Sequence, residues 1–200
     1  MSVNASQVKE LREKTGAGVM ECRKALQETN GDIEEAVKVL RKQGLKTAAK
    51  KSERTTSEGR IGNYVHFGGK IGVIVEVNCE TDFVAKTPDF ETLVKDISMH
   101  VAALNPKYLS RDVVPAEVVN EERNACLTEA KNSGKPDNII EKIVEGKMDK
   151  FYKSICLLEQ SFIKEESNTI QDILTQAIAK LGENIKITRF ARFEVGQNKE

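Results

Sequence analysis

The sequence predicts an α+β fold: a three-helix N-terminal module of the ubiquitin-associated type, then a core in which helices pack on a small antiparallel sheet. Three observations carry the prediction. A pair of β-branched and aromatic runs flanks a Gly-Gly turn at residues 64–77, one alternating run closes the chain at 185–193, and helical stripes fill most of the rest. The composition divides the chain into a module with a basic connecting helix, residues 1–54, and an α+β core, residues 55–200.

In order along the chain, Val8, Leu11 and Arg12 fall at helical spacing after Ser6, which is expected as the cap, and Thr15-Gly16-Ala17-Gly18 breaks the pattern. A second helix spans 19–28 with Cys22, Ala25 and Leu26 on one face. Asn30-Gly31-Asp32 turns the chain into a third, whose stripe is Ile33, Ala36, Val37 and Leu40. Residues 41–54 are basic, and 55–59 read as a linker. The hairpin follows: Tyr64, Val65 and Phe67 before Gly68-Gly69, then Ile71, Val73, Ile74, Val75 and Val77. Thr87-Pro88 announces a helix as N-cap and first residue, and Asn105-Pro106 ends it. Pro115 and Pro136 open two more, the second offering a kink or an end at Gly146. A last helix, 170–181, stops at Gly182. Residues 185–193 then alternate apolar and polar, as a half-buried strand does. No internal repeat is visible.

Composition excludes several classes of function. Lys+Arg and Asp+Glu balance at 31 each, so a strongly basic nucleic-acid binder is not the default expectation. No apolar run approaches the roughly 18 residues that span a bilayer, and the first four residues lack the pattern of a secretory signal. Cys22, Cys79, Cys126 and Cys156 stand far apart among apolar neighbours. They read as free core thiols in a reducing, cytoplasmic setting, with neither zinc spacing nor a disulfide framework.

Enzyme templates are missing: no phosphate-binding Gly loop, no Gly-x-Ser-x-Gly, no His-Glu-x-x-His. Of the two histidines, His66 adjoins the Gly-Gly turn, and His100 sits on a helix where a packed imidazole is expected. A Cys79/His100 nucleophile pair is a third-rank reading that nothing selects. The unusual stretch is 76–86, where Phe83 follows Asp82. Two readings are open there: an apolar wedge for a partner, or a ring packed beneath its own sheet with Thr81 or Asp82 capping a helical turn. Val19-Met20, after the glycine turn, is equally core or contact. The basic run at 41–54 is a solvated connecting helix or, in a competing reading, the RNA contact of a ribosome-associated adaptor.

The runs KELREKTGAGVMECRKAL at 9–26 and VNCETDFVAK at 77–86 resemble the two signatures of the bacterial elongation factor Ts family. Met99-His100-Val101-Ala102-Ala103 and residues 189–195 also match it. The resemblance runs from about residue 4 to 196. It implies a guanine-nucleotide exchange factor for elongation factor Tu, not an enzyme and without a bound cofactor or metal. It places Arg12, Val19 and Met20 of the N-terminal module on the partner's nucleotide-binding domain. It places Thr81, Asp82, Phe83 and Val84 near the partner's Mg²⁺ site, and His66 and Gly68 on another domain. The longest family members carry two related core subdomains and this chain has one. The resemblance therefore implies a homodimer joined through the sheet region, in a two-to-two complex with elongation factor Tu and with no direct nucleic acid partner. No membrane partner is expected from the lack of a long apolar run, and no disulfide in the final strand, which has no cysteine.

Overall fold

Asn4 opens the first helix of the computed structural model, which describes residues 3–132 and 136–197. Its Oδ1 accepts the Gln7 N–H at 2.8 Å while the Gln7 side chain accepts the Asn4 N–H at 3.2 Å, so α1 (Ala5–Thr15) starts on a capping box. Ser6, expected as the cap, lies inside the first turn. The Asn4–Gln7 pair satisfies two end amides reciprocally, which a lone serine at position 6 cannot do. Gly16, at φ 66°, ends α1, and Glu21 takes the Gly18 N–H at 3.1 Å to start α2 (Val19–Glu28). Asp32 caps α3 (Ile33–Lys51) through the Glu35 N–H. Leu11, Cys22, Ala25, Leu26, Ala36 and Leu40 meet in a small core of their own. The basic run continues α3 without a break, giving a helix about 28 Å long.

The chain next forms β1 (Glu58–Val65), β2 (Ile71–Cys79), the single turn α4 (Asp82–Ala85) and α5 (Pro88–Leu104). Thr87 caps α5 at the Phe90 N–H with Pro88 as its first residue, and Asn105, at φ 48°, ends it, as the sequence predicts. A helical hairpin follows, α6 (Ala116–Lys131) and α7 (Asp137–Ile155), with Cys126, Ala130, Ile140, Val144 and Met148 between its arms. The helix does not end at Gly146 but continues to Ile155. The penalty for an exposed glycine, about 1 kcal/mol, is outweighed by the buried stripe on either side of it. Arg111 fixes the base of this hairpin. Its guanidinium meets Glu159 at 2.5 Å and Asp149 at 3.0 Å and lies 4.6 Å from the centre of the Tyr152 ring.

A short ladder of β3 (Ser161–Phe162) and β4 (Glu165–Thr169), not anticipated from the sequence, leads into α8 (Ile170–Leu181) and β5 (Ile185–Glu194). The main sheet is antiparallel in the order β1-β2-β5. Its inner face presents Val73, Val75, Val77, Ile185 and Ile187 to Phe90, Leu93, Val94, Ile97 and Val101 of α5 and to Ile170, Leu174 and Ile178 of α8. Gly62 on β1 lets α5 approach: a Cβ there would lie 2.4 Å from Val94 Cγ1 and 2.5 Å from Ser98 Oγ.

β5 does not alternate cleanly. Glu76 pairs with Arg189 and Val77 with Ile187, so Thr188 bulges out of register. Strict alternation would have turned Arg189 inward with Ile187. The bulge instead turns Phe190 toward the core and leaves Ala191 and Phe193 on the open face. His100 is fully buried. The Ile163 N–H reaches its Nδ1 at 3.4 Å, so Nε2 carries the proton and donates to Gln160 Oε1 at 3.1 Å.

The module is docked on the core along α8. Gly44 of α3 lies against Thr175 and Ala179, Arg41 pairs with Asp172 at 2.8 Å, and the Lys51 ammonium donates to the Gly182 carbonyl. Gly16 meets the stem of Lys180, whose ammonium pairs with Asp89 at 2.8 Å.

Replacement of Gly62 by Ala is expected to cost about 1–3 kcal/mol, because the new methyl overlaps α5 at two points. Thermal melting checks this. An unchanged melting temperature would mean that α5 can back away from the sheet.

Candidate partner-binding surface

The wedge candidate stands where β2 ends. Cys79 makes the last pair of the β2–β5 ladder, with Ile185, and the chain then turns into α4. Thr81 is its N-cap, accepting the Val84 N–H on Oγ1 at 3.4 Å, and Lys86 closes the turn on Asp82 at 2.6 Å. That contact holds the Asp82 carboxyl below its ordinary pKa. Ala85 is buried and Val84 packs on the core edge, so the turn has a fixed floor. Phe83 points away from it and is 81% exposed. Both readings of this stretch thus hold a part of the outcome: Thr81 caps a turn, but the ring is not beneath the sheet.

Four acceptor–donor contacts reach the turn from the opposite side. Glu183 Oε2 accepts the N–H groups of Glu80 and Thr81, each at 3.0 Å, and its Oε1 accepts the Thr81 hydroxyl at 2.6 Å. In return the Asn184 N–H donates to Glu80 Oε1 at 2.6 Å, which lowers the Glu80 pKa, with Arg54 adding to the effect at 3.5 Å. The Asn184 side chain donates to the Ser52 and Arg54 carbonyls. Glu183 and Asn184 escaped the sequence reading, since a polar pair between a helix-ending glycine and a strand looks like any turn. Nothing in the sequence ties it to residues about a hundred positions earlier.

The other sequence-predicted residues fall on separate elements. Arg12 is exposed on α1, and Val19 and Met20 open α2, Met20 being 72% exposed. Ala25 and Leu26, further along α2, supply its buried face, so Val19 and Met20 are surplus to that core. His66 and Gly68 lie in the β1–β2 turn, with the His66 Nδ1 at 3.1 Å from the Tyr64 hydroxyl. Phe67, expected as a strand residue, is at the tip of this turn and wholly exposed. β2 connects this tip to α4, so the two sit about 26 Å apart at opposite ends of the sheet.

The outer sheet face carries apolar side chains in two of its cross-strand rows. Val65, Gly72 and Phe193 form one, and Asn63, Ile74 and Ala191 the next; the third, Ile61, Glu76 and Arg189, is closed by an ion pair at 2.6 Å. Ile74 and Phe193 are each about half exposed.

Among the described residues no cluster of His, Cys, Asp and Glu suits a metal ion, and no helix is long and apolar enough to cross a membrane. Cys79 is buried and donates to the Thr81 carbonyl at 3.2 Å; burial pushes its thiol up to about 11. His100 is committed to Gln160 and Ile163 rather than to this sulfur. Of the basic run, Arg41, Lys51 and Arg54 are engaged with Asp172, Gly182 and Glu80 of the same chain.

The described residues thus form a three-helix module packed on an α+β core, with exposed apolar side chains at Phe83 and Met20. Residues 1–197 match the family described as Elongation factor TS. Among curated relatives, elongation factor Ts of Herpetosiphon aurantiacus is 58% identical over 198 residues, covering 99% of this chain and all of that protein. That of Caldanaerobacter subterraneus is 56% identical over 198 residues, with 99% of each chain covered. That of Geobacter sulfurreducens is 54% identical over the whole of this chain and 93% of its own length. The chain belongs to the elongation factor Ts family.

With its pKa at about 11, Cys79 has a thiolate fraction on the order of one in a thousand at pH 8. Alkylation by iodoacetamide at that pH is therefore expected to be negligible in the native protein and complete after denaturation. Rapid labelling of native Cys79 would revive a thiol chemistry at this site.

Proposed function

We propose that this chain is the guanine-nucleotide exchange factor for elongation factor Tu, and that Phe83 is the wedge by which it loosens GDP. The observation that carries the reading is the near-complete exposure of Phe83 on a turn braced on its own side. A large apolar ring in water at a fixed position is what a binding hot spot requires, because little ordering remains to be done on association. Family membership supports the partner. The resemblance supplies the target, the elements that hold the partner's Mg²⁺.

Those elements bind GDP through phosphate contacts and through the cation that neutralises the phosphates. Insertion of Phe83, with Thr81, Asp82 and Val84 around it, displaces them and weakens the nucleotide without touching its base. Arg12, Val19 and Met20 hold the nucleotide-binding domain, and His66 and Gly68 reach a second domain from the far end of the sheet. The module and the core then act as two contact units set by the α3–α8 packing. No covalent bond is made or broken, so the chain works without a cofactor and is not an enzyme. The setting is cytoplasmic. An RNA adaptor using the basic run is disfavoured, because three of its cations are spent on contacts within the chain.

The homodimer belongs to the same proposal. The outer sheet face leaves Val65 and Ile74 exposed, and a second copy of the face brings the same side chains against them in a self-complementary contact.

Release of a fluorescent GDP analogue from elongation factor Tu is expected to accelerate strongly with the wild-type chain. Phe83→Ala is expected to lose about 2 kcal/mol of that effect, roughly thirtyfold in rate. Full acceleration by the variant would remove the wedge and leave Met20 and the hairpin as the working contacts. Light scattering at micromolar concentration is expected to give twice the 22.3 kDa chain mass, falling to one chain in Ile74→Asp. A monomeric wild type would sink the dimer.

A further inference from the structure

We infer that Glu183 is a positioning residue for exchange: its carboxylate sets the direction of Phe83 through Thr81. The inference rests on the reading of Phe83 as the wedge.

Beyond the Cys79–Ile185 pair the β2–β5 ladder has no further backbone bonds, yet the two chains continue side by side. Carboxylates replace the missing carbonyls. Glu183 accepts the N–H groups of Glu80 and Thr81, and Glu80 accepts the N–H of Asn184, so each segment is fastened by the other's side chain. Donors facing an ionised carboxylate make the stronger, shorter class of hydrogen bond.

The third bond on Glu183 gives it leverage over Phe83. The Thr81 hydroxyl has one proton, and at 2.6 Å it goes to Glu183 Oε1. A lone pair of the same oxygen is thereby left aimed at the Val84 N–H, the cap of α4. A helix of four residues has no stability of its own and takes its direction from its ends. One end is Thr81. The other is the Lys86–Asp82 pair, mostly exposed and worth little by itself. Phe83 lies between them; Ala85 and Val84 fix the floor of the turn, and the rotamer that Glu183 imposes on Thr81 sets the direction of its first residues and of the ring. Among the described residues no Lys or Arg forms an ion pair with Glu183; its three partners are the N–H and O–H donors of this turn.

The test compares wild type, Glu183→Gln and Glu183→Ala, each with and without Phe83→Ala, in release of the fluorescent GDP analogue from elongation factor Tu, with a melting curve for every variant. Glu183→Ala is expected to slow release at least tenfold in the Phe83 protein and less than twofold in the Phe83→Ala protein, because a ring that is absent cannot be misdirected. Glu183→Gln keeps an acceptor for the two N–H groups and loses the one for the hydroxyl, and is expected to fall between. Thr81→Val, which removes the hydroxyl and keeps the shape, is expected to show the same masking; if Glu183→Ala does not fold, Glu183→Gln decides the matter by slowing release in the Phe83 protein and not in the Phe83→Ala protein. Equal losses with and without Phe83 would mean general loosening of the fold and overturn the inference. So would wild-type exchange by Glu183→Ala in a series where Phe83→Ala is slow. If Phe83→Ala itself exchanges normally, the wedge reading fails first and this inference with it.

Discussion

Where two antiparallel strands part, their backbone groups lose their partners, and this constraint governs the end of the sheet that carries Phe83. β2 must leave β5 at Cys79 so that the chain can turn outward. The amides just past that point would be left to water, and a water-bound turn wanders. Glu183 and Glu80 satisfy them reciprocally, and Asn184 extends the tie to the end of α3 through the Ser52 and Arg54 carbonyls. The end of α3, the turn and the strand start are one hydrogen-bonded knot. An exposed phenylalanine is useful to a partner only if something like this knot fixes it.

α8 joins that knot to the rest of the chain. Its buried side carries Ile170, Leu174 and Ile178 into the main core, its flank receives Gly44 and Arg41 of α3, and its last turn meets Gly16 through Lys180. Gly182 then ends it and places Glu183. In the proposed reading, the spacing between the module's contacts and the wedge is set by this helix. The sheet adds a third direction. Its inner face is saturated with β-branched side chains, and its outer face leaves Val65 and Ile74 exposed, where the proposed reading docks a second copy.

The elements were legible wherever a local signal decided them. Asp32, Thr87-Pro88, Asn105 and Gly182 mark helix ends by capping chemistry that needs no tertiary context, and each acts as the residue pattern indicates. Ser6 misled because a better reciprocal pair lay two residues upstream. Gly146 misled because packing on α6 outweighs its helix propensity. The bulge at Thr188 was written in the sequence as a three-residue step between Ile187 and Phe190, hidden by an otherwise alternating run. For the surface, Phe83 could be singled out but not oriented, since an apolar ring beside a sheet reads the same buried or exposed. Glu183 was illegible: its role depends on a register between residues 80–81 and 183–184 that only the folded sheet establishes.

In the proposed reading, this chain and GDP compete for elongation factor Tu through the state of one site. By linkage, if the chain weakens GDP by some factor, GDP must weaken the chain by the same factor. The direct measurement is the dissociation constant of the chain from elongation factor Tu, by titration calorimetry, in nucleotide-free buffer and at saturating GDP. The account predicts a much tighter complex without nucleotide and a loss on adding GDP that matches, within error, the loss of GDP affinity caused by the chain. Equal affinity in the two buffers would contradict it, whatever the rate of exchange.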